Sequence, residues 1–379
     1  MQTNKNVLLI LTNELRNVGG IEAYNKLLIK IIEKNFENIN IDILLTSATH
    51  QDINDDDKYN NKYKYYKNCI NTKFTYINQL FSYIFPRKKI KKLLNKQNYN
   101  LIIDSTGTYF KKIAKWDNYF LIQHFPFEVY KSKFQKNFIG FIKRIIKIIF
   151  GARFPFDKTK NIILFDNDNK ELYFNLFNNN ANIRCIALCS QNKKEVLDSK
   201  QILSNRENII FFGRLAFQKN IKGLMTINNI INKIDFYGSI EPTKYSKEVY
   251  KVLQEKKWYK GVLDQNNLYT TINKYKFSIN YSFFEGFAFS IVESLSCGVP
   301  VIVKDSFTSA NFLTSYDHRL LIPKNATNEE AIKQINSLLN LSDEEYLELC
   351  KKAFRFFQEN LSYEIFEKKW LEIFNKFLN

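Results

Sequence analysis

Two glutamates flank a glycine-containing segment where a predicted strand gives way to a predicted helix. Glu285 lies in the connecting loop, and Glu293 follows eight positions later, about two turns further along. Carboxylates accept strong hydrogen bonds from sugar and ribose hydroxyls. Gly286 lets the backbone approach a ligand, and the unpaired N–H groups that begin a helix favour phosphate. The segment therefore predicts a sugar-nucleotide site, with a solvated surface loop as the plainer interpretation.

Two cations follow an earlier apolar run, Ile209–Phe212. Arg214 ends this predicted strand region, and Lys219 lies in a short loop before the next predicted helix. If the sheet is parallel, this loop and the Glu285 loop lie at the same carboxyl edge, where open α/β sheets bind ligands. Arg214 and Lys219 are then placed to neutralise a diphosphate as it departs. The alternative is two ordinary solvated cations in a lysine-rich chain.

The elements that must position these residues alternate between apolar strand-like runs and helical patterns, which predicts an α/β fold with parallel sheets. Three further runs fit this pattern: Asn6–Leu11, Ile41–Leu45 and Leu101–Asp104. The length allows two Rossmann-like domains. We predict a first domain over 1–192, a second over 206–361 and a last helix over 362–379, with the boundary between the domains in a polar linker between 191 and 208. Residues 52–68, rich in aspartate and lysine, are predicted to form a loop or a disordered segment.

The ordered motifs Gly-Arg-x4-Lys, Ser-x-x-Glu-Gly-Phe-x5-Glu and Gly-x-Pro-Val resemble those of the retaining glycosyltransferases of family 4, which have the GT-B fold. The resemblance covers nearly the whole chain and implies two Rossmann-like domains facing a central cleft. It implies that Arg214 and Lys219 hold the donor diphosphate and that Glu293 holds the ribose. The donor sugar would be held by Glu285 with the run Gly286, Phe287, Ala288, Phe289 and Ser290. Ala288 and Ser294 depart from the family, which often has glycine and alanine there.

In the amino-terminal half, Gly19 and Gly20 precede the first predicted helix, and His124 follows a predicted strand. A glycine pair is compatible with a backbone that bends toward a phosphate or simply with a tight turn. The resemblance implies that Gly19 and Gly20 face the donor across the cleft. It also implies that His124 is catalytic and donates to a sugar hydroxyl or an acceptor, although a histidine at a strand end is often structural.

The segment 131–150 divides into an apolar arc and a basic arc. Its basic side includes Lys136, Lys143, Arg144 and Lys147. Such a helix either lies in an anionic membrane surface or packs on a sheet with its charged side in water. The charges interrupt the apolar run too often for a membrane span. We therefore expect at most a peripheral contact with the membrane.

The net charge of the chain favours one class of binding partner without identifying a particular one. The chain of 379 residues has 56 Lys and Arg against 38 Asp and Glu, a formal charge of +18, which favours anionic partners. Part of this charge is also explained by a genome of biased composition. Five cysteines without paired spacing suit a reducing cytosol, and no signal peptide is recognisable. We therefore expect a cytoplasmic protein.

The expected function is transfer of a sugar from a nucleoside diphosphate, UDP- or GDP-linked, to a glycan or lipid-linked acceptor, as in bacterial surface polysaccharide or lipopolysaccharide biosynthesis. We expect no cofactor and no bound metal. Asp166-Asn167-Asp168 matches the Asp-x-Asp pattern of metal-dependent transferases, which is the alternative enzyme. A basic nucleic-acid-binding protein is the alternative from another class, although no nucleic-acid motif is recognised. An inactive homologue that only binds sugar nucleotides is the third possibility.

Overall fold

The computed structural model describes residues 4–11, 15, 20–45, 63–67, 98–106, 113–124, 159–176, 180–192 and 197–379. The chain forms two compact units. The first comprises residues up to Ile186 together with Glu367–Asn379, and the second comprises Ala187–Phe366. No helix in the described ranges is long and apolar enough to span a membrane.

The first unit is built on a seven-stranded, fully parallel sheet with the strand order 3-2-1-4-5-6-7. Its central strands β4 to β6 are buried along their whole length, as expected when both faces of a parallel sheet are covered. The strands are β1 (Lys5–Leu11), β2 (Ile39–Leu45), β3 (Lys64–Lys67), β4 (Leu101–Asp104), β5 (Tyr119–Ile122), β6 (Asn161–Leu164) and β7 (Asn182–Cys185). The described helices are α1 (Gly20–Asn35) and α2 (Asn167–Leu176).

The second unit repeats this plan with six parallel strands in the order 10-9-8-11-12-13. The strands are β8 (Glu207–Phe212), β9 (Ile234–Tyr237), β10 (Tyr259–Gly261), β11 (Tyr275–Asn280), β12 (Val301–Lys304) and β13 (Leu321–Ile322). The helices are α3 (Ser199–Asn205), α4 (Ile221–Ile231), α5 (Lys244–Glu255), α6 (Leu268–Ile272), α7 (Phe289–Ser296), α8 (Ala310–Leu313), α9 (Asn328–Leu339) and α10 (Asp343–Asn360). The predicted α/β class with parallel sheets is confirmed.

The last helix, α11 (Tyr363–Leu378), carries its residues from Glu367 onward into the first unit. The indole N–H of Trp370 donates to the hydroxyl oxygen of Tyr24 over 3.1 Å, and Lys34 forms an ion pair with Glu367 at 2.9 Å. Trp370 is fully buried. The C-terminal end of the chain therefore contributes to the core of the first unit.

Two segments differ from their predicted form. The loop predicted over 52–68 contains strand β3, which pairs with β2 at the edge of the sheet. Sequence reasoning missed it because lysines border a short tyrosine pair, a composition suited to an edge strand that must not aggregate. The polar linker predicted between 191 and 208 contains helix α3, and the boundary between the units falls at Ile186. Asp198 caps α3 by accepting the N–H of Lys200.

Candidate active site

The candidate site lies where the strand order of the second sheet reverses direction. Strands β8 and β11 are parallel neighbours, with Ile210 beside Ser278. The chain leaves β8 toward β9 on one side and leaves β11 toward β12 on the other. Loops that diverge from adjacent strands open a crevice at the carboxyl edge of the sheet, where ligands bind in open α/β folds. The predicted cations follow β8, and the two predicted glutamates follow β11.

A close backbone contact fixes the loop that follows β8. Gly213 has a φ of 152°, a value that side chains other than hydrogen disfavour. A Cβ on Gly238 would lie only 1.7 Å from the carbonyl oxygen of Gly213. The loop after β9 therefore approaches the loop after β8 closely only because residue 238 is glycine. This contact sets the position from which Arg214 projects.

Arg214 projects from this loop with 57% of its side chain exposed. Its Nη1 donates to Oε1 of Glu241 over 2.6 Å. Glu241 is itself held at the loop after β9, where its N–H donates to the hydroxyl oxygen of Ser246 over 2.9 Å. An exposed ion pair of this kind contributes little to stability. Arg214 is therefore accessible to a ligand that brings its own negative charge.

Lys219 and Glu285 form an ion pair that joins the two loops of the site. Lys219 ends a single 3-10 turn, Phe217–Lys219. Its ammonium donates to Oε1 of Glu285, and the two side chains are only 14% and 7% exposed. A buried ion pair needs further hydrogen bonds to offset the loss of water. Neighbouring residues supply these bonds to Glu285.

Gln218 and Ser282 hold Glu285 in a single orientation. The Gln218 side-chain amide donates to Oε2 of Glu285 over 3.2 Å and to the Phe284 carbonyl over 2.9 Å. The Gln218 carbonyl accepts the N–H of Phe283 over 2.8 Å. Ser282 donates its hydroxyl to Oε1 of Glu285 over 2.7 Å. The carboxylate is thus oriented by donors from both loops before any substrate arrives.

We predict that the stability of the protein follows the order wild type, Gln218→Ala, Gln218→Glu. Alanine removes the donor to Glu285, whereas glutamate brings a second carboxylate to the place where the amide nitrogen now lies 3.2 Å from Oε2. Repulsion and an unpaired buried group should cost about 1–3 kcal/mol in the glutamate variant. Urea unfolding at neutral pH measures this. A glutamate variant as stable as the wild type would refute the role given to Gln218.

Helix α7 begins directly after the Glu285 loop, with Ala288 as its N-cap and no capping side chain. Its first N–H groups therefore point out at the carboxyl edge of the sheet and favour an anion. At the other end, the buried guanidinium of Arg206 donates to the carbonyls of Gly298 (2.6 Å) and Cys297 (2.7 Å). A cation at the C-terminus stabilises a helix through its dipole. Arg206 thus anchors the helix whose other end faces the crevice.

Glu293 lies on α7, largely shielded from solvent, and this burial raises the pKa of its carboxyl to about 8. Desolvation is the one cause of this shift. A carboxylate held in such surroundings gains from hydroxyl donors supplied by a ligand. The position suits the ribose role that the resemblance implies for it.

The raised pKa of Glu293 predicts a pH-dependent stability. The folded protein retains this proton between pH 4.5 and about 8, whereas the unfolded chain releases it, so stability falls as pH rises through that window. Glu293→Gln should therefore unfold at a higher temperature than the wild type at about pH 9 and at the same temperature near pH 4. Above about pH 8, where Glu293 is ionised, the same variant should bind nucleotide about tenfold more weakly or worse, because the ribose loses a charged acceptor. Thermal unfolding across pH measures the first effect, with Glu255→Gln as an exposed control. A difference in unfolding temperature between Glu293→Gln and the wild type that does not change with pH would contradict the raised pKa of Glu293.

The residues predicted in the amino-terminal half belong to the first unit. Gly20 is the first residue of α1 and is exposed. His124 follows β5, and its ring lies edge-on to Tyr24 with 5.1 Å between centroids. Its Nε2 is buried and has no hydrogen-bond partner among the described residues, and burial lowers its pKa to about 3, so the ring is neutral. Gly19 and the basic segment 131–150 lie outside the described residues.

The Asp-x-Asp pattern has a structural explanation. Asp166 precedes α2, and its Oδ1 accepts the backbone N–H of Asn169 over 2.7 Å, a bond characteristic of a residue that caps a helix. The Asn169 side-chain amide donates to both oxygens of the same carboxylate over 3.0 Å. In the part of the chain that the structure describes, no group of three His, Cys, Asp or Glu residues is placed to hold a metal ion.

Sequence reasoning overlooked three residues that shape the site: Gln218, Glu241 and Arg206. No spacing rule marks them, because each acts through a partner that is remote in sequence. Gln218 adjoins the predicted Lys219, which was the one available signal. Ser282 was part of the recognised motif, but only the structure shows that its hydroxyl binds Glu285.

Comparison with known proteins is consistent with this geometry. Residues 192–355 match the family model described as Glycosyl transferases group 1, whereas no curated protein matches the chain in sequence. Among solved structures, the sucrose-phosphate synthase of Thermosynechococcus elongatus superimposes with a TM-score of 0.75 at 16% identity, covering 98% of each chain. WaaG, a glycosyltransferase involved in lipopolysaccharide biosynthesis, superimposes with a TM-score of 0.70 at 9% identity, covering 97% of this chain and 99% of WaaG. A variant of S. aureus TarM in complex with fondaparinux, α-GlcNAc-glycerol and UDP gives 0.66 at 13% identity, covering 98% and 100%.

At such identities the structural likeness establishes the fold, and the family match is a similarity over residues 192–355 of the second unit. Both agree with the resemblance inferred from the motifs around Arg214, Glu285 and Gly298. The chain therefore has the GT-B fold, and its residues 192–355 are similar to the glycosyl transferases group 1 family.

Proposed function

We propose that the protein transfers a sugar from a nucleoside diphosphate to an acceptor hydroxyl with retention of anomeric configuration. The observation that carries this proposal is the convergence of Arg214, the Lys219–Glu285 pair and the start of α7 at one edge of one sheet. Cations and helix N–H groups there suit a diphosphate, while carboxylates suit sugar and ribose hydroxyls. Few other substrates require both sets of groups side by side.

The chemistry is mainly electrostatic. The bond between the anomeric carbon and the diphosphate oxygen breaks, and a bond to the acceptor oxygen forms on the same face of the sugar. The acceptor proton passes to the departing phosphate oxygen. Arg214, Lys219 and the α7 dipole stabilise the charge that builds on the diphosphate. Glu285, already oriented by Ser282, holds the sugar for attack.

In this proposal His124 is a neutral hydrogen-bonding group and not a proton shuttle. Its low pKa keeps the ring uncharged at physiological pH, so it has one N–H donor and one acceptor nitrogen. The buried Nε2 without a partner is a group that a sugar or acceptor hydroxyl would satisfy, since unpaired buried polar atoms are costly. Gly19 and Gly20, which belong to the first unit, are proposed to contact a phosphate or sugar.

The substrate classes come from the chemistry of the site and from similar proteins. We propose a UDP- or GDP-linked sugar as the donor, and the TarM complex that contains UDP supports the first of these. We propose a glycan or lipid-linked acceptor in surface polysaccharide or lipopolysaccharide synthesis, as WaaG acts in lipopolysaccharide biosynthesis. No cofactor or divalent metal is required in this scheme, because side chains and a helix end supply the positive charge.

A transfer assay tests this proposal. The purified protein is incubated with UDP- and GDP-linked glucose, galactose, N-acetylglucosamine and mannose, with and without a chelator, and release of free nucleoside diphosphate is followed. We expect release from one donor, undiminished by the chelator and strongly reduced in Arg214→Ala. Nuclear magnetic resonance of the product should show the donor's anomeric configuration. Release only with added divalent metal would favour the metal-dependent alternative, and binding without release would favour an inactive homologue.

We further propose a peripheral contact of the protein with the cytoplasmic face of the membrane. This rests on the sequence of the basic segment 131–150, which lies outside the described residues. Charge reversal at Lys136, Lys143 and Lys147, with Arg144 left in place, should release the protein from anionic liposomes. Sedimentation with liposomes measures this. Equal sedimentation of the variant and the wild type would refute the membrane contact.

A further inference from the structure

A groove with a volume of about 1040 Å³ opens in the first unit, far along the sheet from His124. It is formed by the first residues of β1 and β2, by β3, by the segment before β4 and by the last turn of α1. These elements meet at the amino edge of the sheet, whereas His124 follows the carboxyl end of β5. The groove is thus separate from every residue assigned to sugar transfer.

The strands bring polar groups to one side of this groove. Asn6 pairs with Asn40 and Asp42 with Lys64 in the registers of the parallel strands. Residues two apart in a strand share a face, so the amides and the charged pair are neighbours on the same surface. The Asn40 side-chain amide donates to Oδ1 of Asn6 over 3.1 Å. The face is therefore an ordered array of carboxamide and carboxylate groups.

Tyrosines complete the lining and orient the carboxylates. The hydroxyl of Tyr99 donates to Oδ2 of Asp42 over 2.7 Å, and the hydroxyl of Tyr63 donates to Oε1 of Glu33 over 2.6 Å. The ring of half-buried Tyr66 lies 5.2 Å from the Lys64 ammonium. The carboxylates of Asp42 and Glu33 are thus each held by a tyrosine hydroxyl, which fixes their positions before a ligand binds.

The charges of the described lining do not favour polyanions. Among the described residues, Glu33, Asp42 and Lys64 are the charged ones that line the groove, a net charge of −1 in a chain whose formal charge is +18. Nucleic acid and anionic lipid would bind elsewhere on such a protein. Carboxamides, carboxylates and phenols instead match neutral ligands rich in hydroxyls, which both donate and accept hydrogen bonds. The volume is at the upper end of the roughly 300–1,000 Å³ typical of ligand pockets, enough for several sugar rings.

We propose that this groove binds a neutral oligosaccharide. A glycan acceptor held there and at the transfer site of the same protein gains effective concentration at the second contact. The groove would thus retain a growing or polymeric acceptor between transfers. Binding at the groove is independent of the donor site and is testable even if the proposed transfer is wrong.

A printed array of neutral oligosaccharides, probed with the labelled full-length protein, tests this inference. We compare the wild type with Asn40→Ala and Asp42→Asn, which change the polar face at exposed and half-buried positions. Asn180→Ala is the matched control, an exposed asparagine before β7 at the other end of the same sheet. Arg214→Ala separates the groove from the donor site. Circular dichroism confirms that each variant folds.

We expect binding to a subset of the array that falls at least fivefold in Asn40→Ala and in Asp42→Asn. Binding should persist in Asn180→Ala and in Arg214→Ala. No bound oligosaccharide, or binding unchanged by both groove variants, would overturn the inference. If oligosaccharide binding is lost in Arg214→Ala but retained in both groove variants, glycan binding belongs to the transfer site alone, and the inference is overturned as well.

Discussion

Lys219→Met should lower kcat/KM for sugar transfer by about 10²–10³-fold, whereas Lys222→Met should leave it nearly unchanged. Lys219 is largely shielded from solvent beside Glu285, with 14% of its side chain exposed, so its charge acts with less screening than a surface lysine. Lys222 lies three positions later with 59% of its side chain exposed and forms an ion pair with Glu248. Both substitutions remove one lysine and retain a similar stem, so only position distinguishes them.

Steady-state kinetics with the donor identified in the transfer assay measures this difference. The loss in Lys219→Met should fall on kcat as well as on kcat/KM, because the charge on the diphosphate is greatest in the transition state. Equal effects of the two substitutions would mean that bulk charge, and not the placed ammonium, supports the reaction. Retained activity in Lys219→Met would remove Lys219 from the site.

Glu285→Leu should destabilise the folded protein by about 3–5 kcal/mol, and Lys219→Met introduced with it should recover most of that loss. The single change leaves the Lys219 ammonium buried without its carboxylate. The double change replaces a buried ion pair with apolar groups of similar size, which is often neutral for stability. Activity should not recover, because the charged groups that act on the donor are absent.

Urea unfolding of the wild type, both single variants and the double variant gives the coupling free energy of the pair. Recovery of stability without recovery of activity separates the structural cost of the pair from its chemical role. Two stability losses that simply add would show that Lys219 and Glu285 do not interact in solution. Activity in the double variant would contradict the role of the pair in transfer.

Sequence patterns predicted the α/β class and several central strands, because those strands are buried on both faces. In Leu101–Asp104 the first three residues are apolar and all four are buried, as expected for a short strand inside a parallel sheet. Strand β3 escaped notice because only pairing with β2 stabilises it. Composition indicates which segments are buried, but it does not indicate which polar segment pairs with the edge strand of a sheet.

The same limit applies to the candidate site. Arg214, Lys219, Glu285 and Glu293 carried a recognisable spacing, and the structure places all four on the loops and helix at the carboxyl edge of the second sheet. Their partnerships were not predictable, because Lys219 meets Glu285 across 66 positions of sequence. Glu241 reaches Arg214 because the loops after β8 and β9 lie close together, an approach that Gly238 permits through its missing Cβ. Gln218 reaches Glu285 across 67 positions of sequence.

The most direct test of the donor site is the thermal shift of the purified protein with UDP, GDP and ADP in the presence of a chelator. A nucleotide at a hundredfold its dissociation constant should stabilise the protein by about 2.7 kcal/mol. We predict that one nucleotide raises Tm for the wild type and for the exposed control Arg355→Ala but not for Arg214→Ala. A shift retained in Arg214→Ala, or no shift with any of the three nucleotides, would contradict the assignment of the donor site to this edge of the sheet.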